Sequence, residues 1–119
     1  MTERLTELQT LEELREALDS SSERPVLLFK HSLTCPISAR ALYEFKTYLE
    51  NANPAVSYRL IVVQRARPVS DEVAKRLAVN HESPQALLVR NSREVWNASH
   101  FGITASTIAT AIEAAMLRP

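Results

Sequence analysis

Between Val26 and Glu50 the apolar pattern of this chain changes period, and the change falls on its only cysteine. Val26-Leu27-Leu28-Phe29 is a short run, β-branched at its start and aromatic at its end, as a buried strand is. Beyond Pro36 the residues Ile37, Ala41, Phe45, Tyr48 and Leu49 recur at spacings of three and four. That spacing predicts a helix with one apolar face from Pro36 to about Glu50. Cys35 therefore stands where a strand hands over to a helix.

This position has chemical consequences. The first N–H groups of a helix have no internal partner and the helix dipole adds partial positive charge there, so an anion is stabilised at that end. A thiolate is such an anion, and cysteines so placed can have a pKa of about 3.5 to 7.5 against about 8.5 when free. Pro36 suits the first helical turn, where its missing N–H is not needed, and Thr34 offers a hydroxyl to cap the helix. Lys30 and His31 add positive potential if they face the site, although a lysine beside a strand end is ordinarily solvated. The fourth residue of the tetrad Cys35-Pro36-Ile37-Ser38 lies one turn beyond the thiol on the same side. A cysteine there would allow an internal disulfide. With Ser38 there, Cys35 can form only a mixed disulfide that a second thiol molecule must resolve, which is monothiol chemistry. Ser38 and Thr34 are candidates to donate hydrogen bonds to the thiolate or simply to cap and solvate the helix end. The tetrad alone leaves a second reading open, an inert buried thiol, because free cysteine is among the residues most often found inside.

Composition narrows the function classes. A chain of 119 residues suits one domain, 1–119, with a core that needs no disulfide staples. Its 14 Lys plus Arg balance 14 Asp plus Glu, so no electrostatic footprint for nucleic acid or an acidic membrane surface is expected. A single cysteine excludes an internal disulfide and any multi-cysteine metal site, and no metal is expected; a single glycine leaves no Gly-rich phosphate loop. Met1-Thr2-Glu3-Arg4 does not read as a signal peptide and no apolar run has membrane-spanning length, so the expectation is a cytoplasmic protein without membrane partners.

In chain order, Thr10 and Glu13 form a capping box before a helix from Leu11 to Asp19, along which Leu11, Leu14, Ala17 and Leu18 lie at helical spacing. Leu5-Thr6-Glu7-Leu8 reads as a short edge strand or as an extension of that helix. Ser20 to Pro25 is a polar turn. After the Cys35 helix, Asn51 to Pro54 stops the chain, and a strand runs from Val56 to Gln64 with Leu60-Ile61-Val62-Val63 as its continuous core. Ser70 reads as an N-cap, with Asp71 and Glu72 in the first turn of a helix that carries Val73, Ala74 and Leu77. Ser83-Pro84 leads into Gln85-Ala86-Leu87-Leu88-Val89, which Asn91-Ser92-Arg93 joins to Glu94-Val95-Trp96 as a hairpin. A last helix from near Thr104 buries Ile108, Ala111, Ile112, Ala115 and Met116. Trp96 reads as core rather than a ligand platform. His100 has either a binding or acid-base role or a structural hydrogen bond. His81 has no evident role.

The resulting βαβ unit, helix, hairpin and helix resemble a thioredoxin-like domain, an α/β fold with a central mixed β-sheet flanked by helices. The resemblance implies a cis-proline opposite the reactive cysteine, preceded by a residue whose backbone pairs with substrate; Ser83-Pro84 matches that place. More narrowly, Phe29-Lys30-His31-Ser32-Leu33-Thr34-Cys35-Pro36-Ile37-Ser38 and Trp96-Asn97-Ala98-Ser99-His100-Phe101-Gly102-Ile103-Thr104 resemble the monothiol bacilliredoxin family. Dithiol thioredoxins, dithiol glutaredoxins and monothiol glutaredoxins with a Cys-Gly-Phe-Ser site all differ from its Thr-Cys-Pro-Ile-Ser motif. The resemblance implies that the Cys35 thiolate attacks S-bacillithiolated proteins, takes up bacillithiol, and is released by a further low-molecular-weight thiol. Pro84 and the Ser83 backbone would align the substrate disulfide, with His31 and His100 beside it. Two readings from other classes stand next to this one: a non-catalytic thioredoxin-like binding module, and an iron-sulfur cluster carrier like the monothiol glutaredoxins, against which the glycine-poor site argues.

Overall fold

The computed structural model describes residues 5–117. Its strands are β1 (Leu5–Glu7), β2 (Val26–His31), β3 (Ser57–Val62), β4 (Gln85–Arg90) and β5 (Arg93–Ser99). Its helices are α1 (Leu11–Ser20), α2 (Pro36–Leu49), α3 (Arg67–Leu77) and α4 (Ala105–Met116), with one 3-10 turn at His100–Gly102. The strands form one mixed sheet in the order β1-β3-β2-β4-β5. β1 and β2 both run parallel to β3, while β4 is antiparallel to β2 and β5 antiparallel to β4. Leu5–Glu7 is thus an edge strand.

Each face of the sheet carries a core. On one, Phe29 from β2 stacks on Phe45 from α2 with centroids 4.9 Å apart, and Ile108, Ala111 and Ile112 bring in α4. On the other, Leu28, Ile61 and Leu87 pack under Leu14 and Leu18 of α1 and Val69 and Val73 of α3. The two central strands β2 and β4 are buried almost throughout, as strands covered on both faces must be. The hairpin turns on Asn91 and Ser92, both with positive φ (55° and 61°), the handedness that matches the twist of the flanking strands.

Three local expectations are corrected. Ser70 does not cap α3: the helix starts at Arg67, with Pro68 in its first turn, where a fixed φ and a missing N–H do no harm. Ser70 lies inside the helix and is buried, its amide bonded to the Ala66 carbonyl at 3.0 Å. On α2 the buried stripe begins with Ser38 instead of Ile37, which is possible because the serine hydroxyl finds partners. Met116, in the last turn of α4, is 40% exposed. No helix among the described residues is long and apolar enough to cross a membrane.

Candidate functional site

The C-terminal ends of β2 and β3 and the start of β4 meet at one edge of the sheet. Lys30 is paired with Gln85 across β2 and β4, so the segment that follows β2 and the one that precedes β4 stand side by side. The first carries Cys35, the second Ser83-Pro84. The Ser83–Pro84 bond is cis, in agreement with what the resemblance implies.

Cys35 is the N-cap residue of α2, extended at φ −106° and ψ 119°, and its carbonyl accepts the Ala39 N–H at 3.1 Å. It is partly exposed. No side chain caps this helix, no acidic residue lies in its first turn, and Pro36 occupies the start. Thr34 is not the cap that its hydroxyl suggests. It stands one residue before the N-cap, and its hydroxyl lies 3.4 Å from Ser32 Oγ instead.

Ser38 is buried one turn beyond the thiol, and its hydroxyl is committed. It accepts the Ser32 N–H at 2.9 Å and lies 2.7 Å from His31 Nδ1. His31 is only 8% exposed. Burial lowers its pKa, Lys46 and then Arg65 add to the lowering, and the Ser38 hydrogen bond opposes it, so the imidazole is neutral near pH 7. The loop between β2 and α2 is latched from a direction that nothing in the sequence signals. Gln64, just past β3, accepts the Leu33 N–H through Oε1 at 3.0 Å and donates Nε2 to Ser32 Oγ at 2.9 Å. A glutamine after a strand carries no sequence mark of such a role; only the parallel β2/β3 pairing brings it there.

Across the site, His100 takes a positive φ of 54°, donates its backbone N–H to the Pro84 carbonyl at 3.2 Å, and places Nε2 3.6 Å from Glu82 Oε1. His100 thus belongs to the cis-proline side. Among the described residues no hydrogen bond links it to Cys35. Trp96 is partly buried against the α2/α4 core.

Lys30 departs most from expectation. It is wholly buried, on the α3 face, with Nζ 3.1 Å from Nδ1 of His81, a histidine with no role evident from sequence. A charged residue ending an apolar run looks like a solvated strand terminus, whereas this one lies beside β4 and is met by His81. Burial pushes its pKa down to about 8, with Asp71 opposing. Among the described residues no group of three or more His, Cys, Asp or Glu side chains is placed to hold a metal ion.

The arrangement brings together a single accessible thiol at an open helix end, a fixed serine one turn away, and a cis-proline segment beside it. The fold that carries this arrangement is shared with known proteins. A solved structure described as a candidate oxidoreductase with a thioredoxin fold is 34% identical over 92% of this chain and 95% of its own, at a TM-score of 0.80. Thioredoxin from Fasciola hepatica, 15% identical over 92% of this chain and 97% of its own, superposes at 0.72. A mutant thioredoxin from Halobacterium salinarum, 18% identical over 98% and 95%, superposes at 0.71. The fold is that of thioredoxin, and these likenesses together with the family place the protein among thiol oxidoreductases. The family model described as monothiol bacilliredoxin BrxC matches residues 6–108, and the chain belongs to the monothiol bacilliredoxin family.

Proposed function

We propose that this protein removes bacillithiol from protein mixed disulfides by monothiol exchange at Cys35. The Cys35 thiolate attacks the bacillithiol sulfur of the mixed disulfide. The old S–S bond breaks, the target's sulfur leaves as a thiolate that takes up a proton, and a Cys35–bacillithiol disulfide forms. A second bacillithiol, as thiolate, attacks that disulfide at the bacillithiol sulfur and restores Cys35. The products are the free target thiol and bacillithiol disulfide, so the free low-molecular-weight thiol is the reductant and the protein is unchanged. A reducing cytoplasm suits a free thiol of this kind.

The observation that carries this reading is the Cys35–Ser38 pair. Cys35 occupies the N-cap position of α2 with its thiol partly exposed, while the position one turn on holds a serine whose oxygen is already bonded to Ser32 and His31. A mixed disulfide at Cys35 therefore persists until an external thiol arrives. In this mechanism Pro36 and Thr34 shape the approach to the thiol and His31 fixes Ser38. The Ser83 backbone and Pro84 align the incoming disulfide, and His100 borders that segment through its bond to the Pro84 carbonyl.

The test is intact mass after reduced protein is mixed with a bacillithiolated test protein, and in parallel with a glutathionylated one. One bacillithiol is expected on the wild type and none on Cys35→Ser, with little glutathione transferred. Transfer from neither donor would remove the thiol-transfer reading, and transfer from glutathione alone would remove bacillithiol as the co-substrate.

A further inference from the structure

Lys30 and His31 end β2. Because successive strand side chains point to opposite faces, the pair divides between the two halves of the site. His31 meets Ser38 on α2, and Lys30 meets His81, three residues before Pro84. The lysine contact needs an explanation. A fully buried ammonium is unfavourable unless it is paired, and among the described residues no carboxylate lies within ion-pair distance of Nζ. An apolar side chain of equal length would fill the space at lower cost to the fold. What the ammonium contributes is therefore to be sought in what it holds.

It holds a segment that has few ties of its own. Ser83 Oγ and Gln85 Oε1, on either side of Pro84, are buried without a hydrogen-bond partner. Its other ties are the Gln85 Nε2 bond to the Asn80 carbonyl at 3.0 Å, the His100 N–H to the Pro84 carbonyl at 3.2 Å, the exposed contact of Glu82 Oε1 with His100 Nε2 at 3.6 Å, and Ser70 Oγ 3.3 Å from the same His81 Nδ1. An ammonium has only donors, so Nδ1 accepts and the ring proton sits on Nε2. The lysine thus fixes both the place and the tautomer of His81.

We infer that Lys30 is a positioning residue for the thiol-transfer reaction: through His81 it fixes the Asn80–Pro84 segment against the end of β2 and so sets where the Ser83 backbone stands relative to Cys35. This rests on the function proposed above. The dipeptide Lys30-His31 then places both partners of the reaction, the helix that carries the nucleophile and the segment that receives the substrate.

The test uses the full chain with Lys30→Met, His81→Leu and the double variant. Three readouts are compared: steady-state transfer from a bacillithiolated test protein, alkylation of Cys35 by iodoacetamide, and backbone hydrogen exchange. Each single variant is expected to raise KM about fivefold or more, with kcat and the alkylation rate within about twofold of wild type, because the thiol is intact and only the receiving segment has moved. The double variant should be no worse than the poorer single one, since both cut the same link. Exchange should quicken at 80–85 and stay unchanged along α2. KM unchanged in both single variants overturns the inference, and so does a parallel loss of alkylation and transfer. If wild type itself transfers nothing, the proposed function falls and exchange alone decides: unchanged protection at 80–85 overturns the anchoring role, and faster exchange there upholds it. Should Lys30→Met fail to fold, His81→Leu, a change at a partly exposed loop residue, carries the same test.

Discussion

Helices α1 and α4 begin alike, and α2 begins differently. Thr10 Oγ1 accepts the Glu13 N–H at 3.1 Å while Glu13 Oε1 accepts the Thr10 N–H at 3.2 Å. Thr104 Oγ1 accepts the Thr107 N–H at 3.0 Å and Thr107 Oγ1 accepts the Thr104 N–H at 3.0 Å. Both helix ends are closed by side chains. At α1 the end already holds an anion: the Gln9 and Thr10 N–H groups keep the Glu13 carboxyl below its usual pKa. At α2 the residue in the threonine's place is Cys35, and nothing caps it. Helix α3 is also uncapped, on Ala66, but brings no reactive group to its end. An open helix end becomes a candidate site only when a side chain able to carry negative charge stands on it. What α2 gives up in capping it keeps available for a thiolate.

The largest test of this difference replaces the thiol. Cys35→Ser should abolish bacillithiol transfer with the fold intact, and wild-type turnover in that variant would take Cys35 out of the mechanism. Cys35→Asp should be equally inactive yet raise unfolding stability by about 1 kcal/mol, because it converts the open end into a capped one. Urea denaturation reads this directly. A Cys35→Asp protein that unfolds earlier than wild type would mean that the start of α2 does not favour an anion, and the contrast with α1 would fail.

Much of this contrast is legible in the sequence. The Thr10/Glu13 box, the handover at Cys35, the hairpin turn and the proline before β4 are local signals, written in residues adjacent to their effects. The features that escape a sequence reading share a cause. Lys30 looks solvated because what meets it, β4 and His81, is distant in the chain. Gln64 has no visible connection to Ser32 and Leu33 until β2 and β3 are known to be parallel neighbours. Ser70 attracts an N-cap reading because the residues after it are acidic, whereas Pro68 is the stronger start signal. Thr34 caps nothing because α2 starts one residue later than its hydroxyl suggests. Within the site, the thiol, the serine and the cis-proline are visible as a motif. The polar ties that hold them are not, because each crosses between elements.

The threonine ends give a smaller effect of opposite kind. Thr10→Ala and Thr104→Ala should each lower stability by about 1 kcal/mol, the usual cost of losing an N-cap side chain. Transfer per folded molecule should stay unchanged, since neither residue has a part in the proposed reaction. A loss of transfer in Thr10→Ala, beyond the fraction unfolded, would show that capping at α1 reaches the site and would blur the division between ends that stabilise and the end that reacts.

The smallest effect separates the two kinds of end by pH. His31 and His81 both have pKa values lowered in the folded state, chiefly by burial and then by nearby cations: Lys46 for His31, Lys30 and Arg67 for His81. A base lowered on folding binds fewer protons in the native state than in the unfolded one. Stability is therefore full above the ordinary value of 6.5 and falls as pH drops below it toward the lowered folded values. Glu13 behaves in the same direction but in a different window, losing its contribution only below its ordinary 4.5. Between those two values acid should weaken the protein through the site histidines while the α1 box remains intact. Urea midpoints should therefore decline from pH 7 toward 5, and His81→Gln should flatten part of that decline, whereas Thr10→Ala should shift the whole curve without changing its slope. A midpoint independent of pH across this interval would mean that neither imidazole is held neutral by its surroundings, and the Lys30–His81 and His31–Ser38 contacts would then lack the polarity assigned to them.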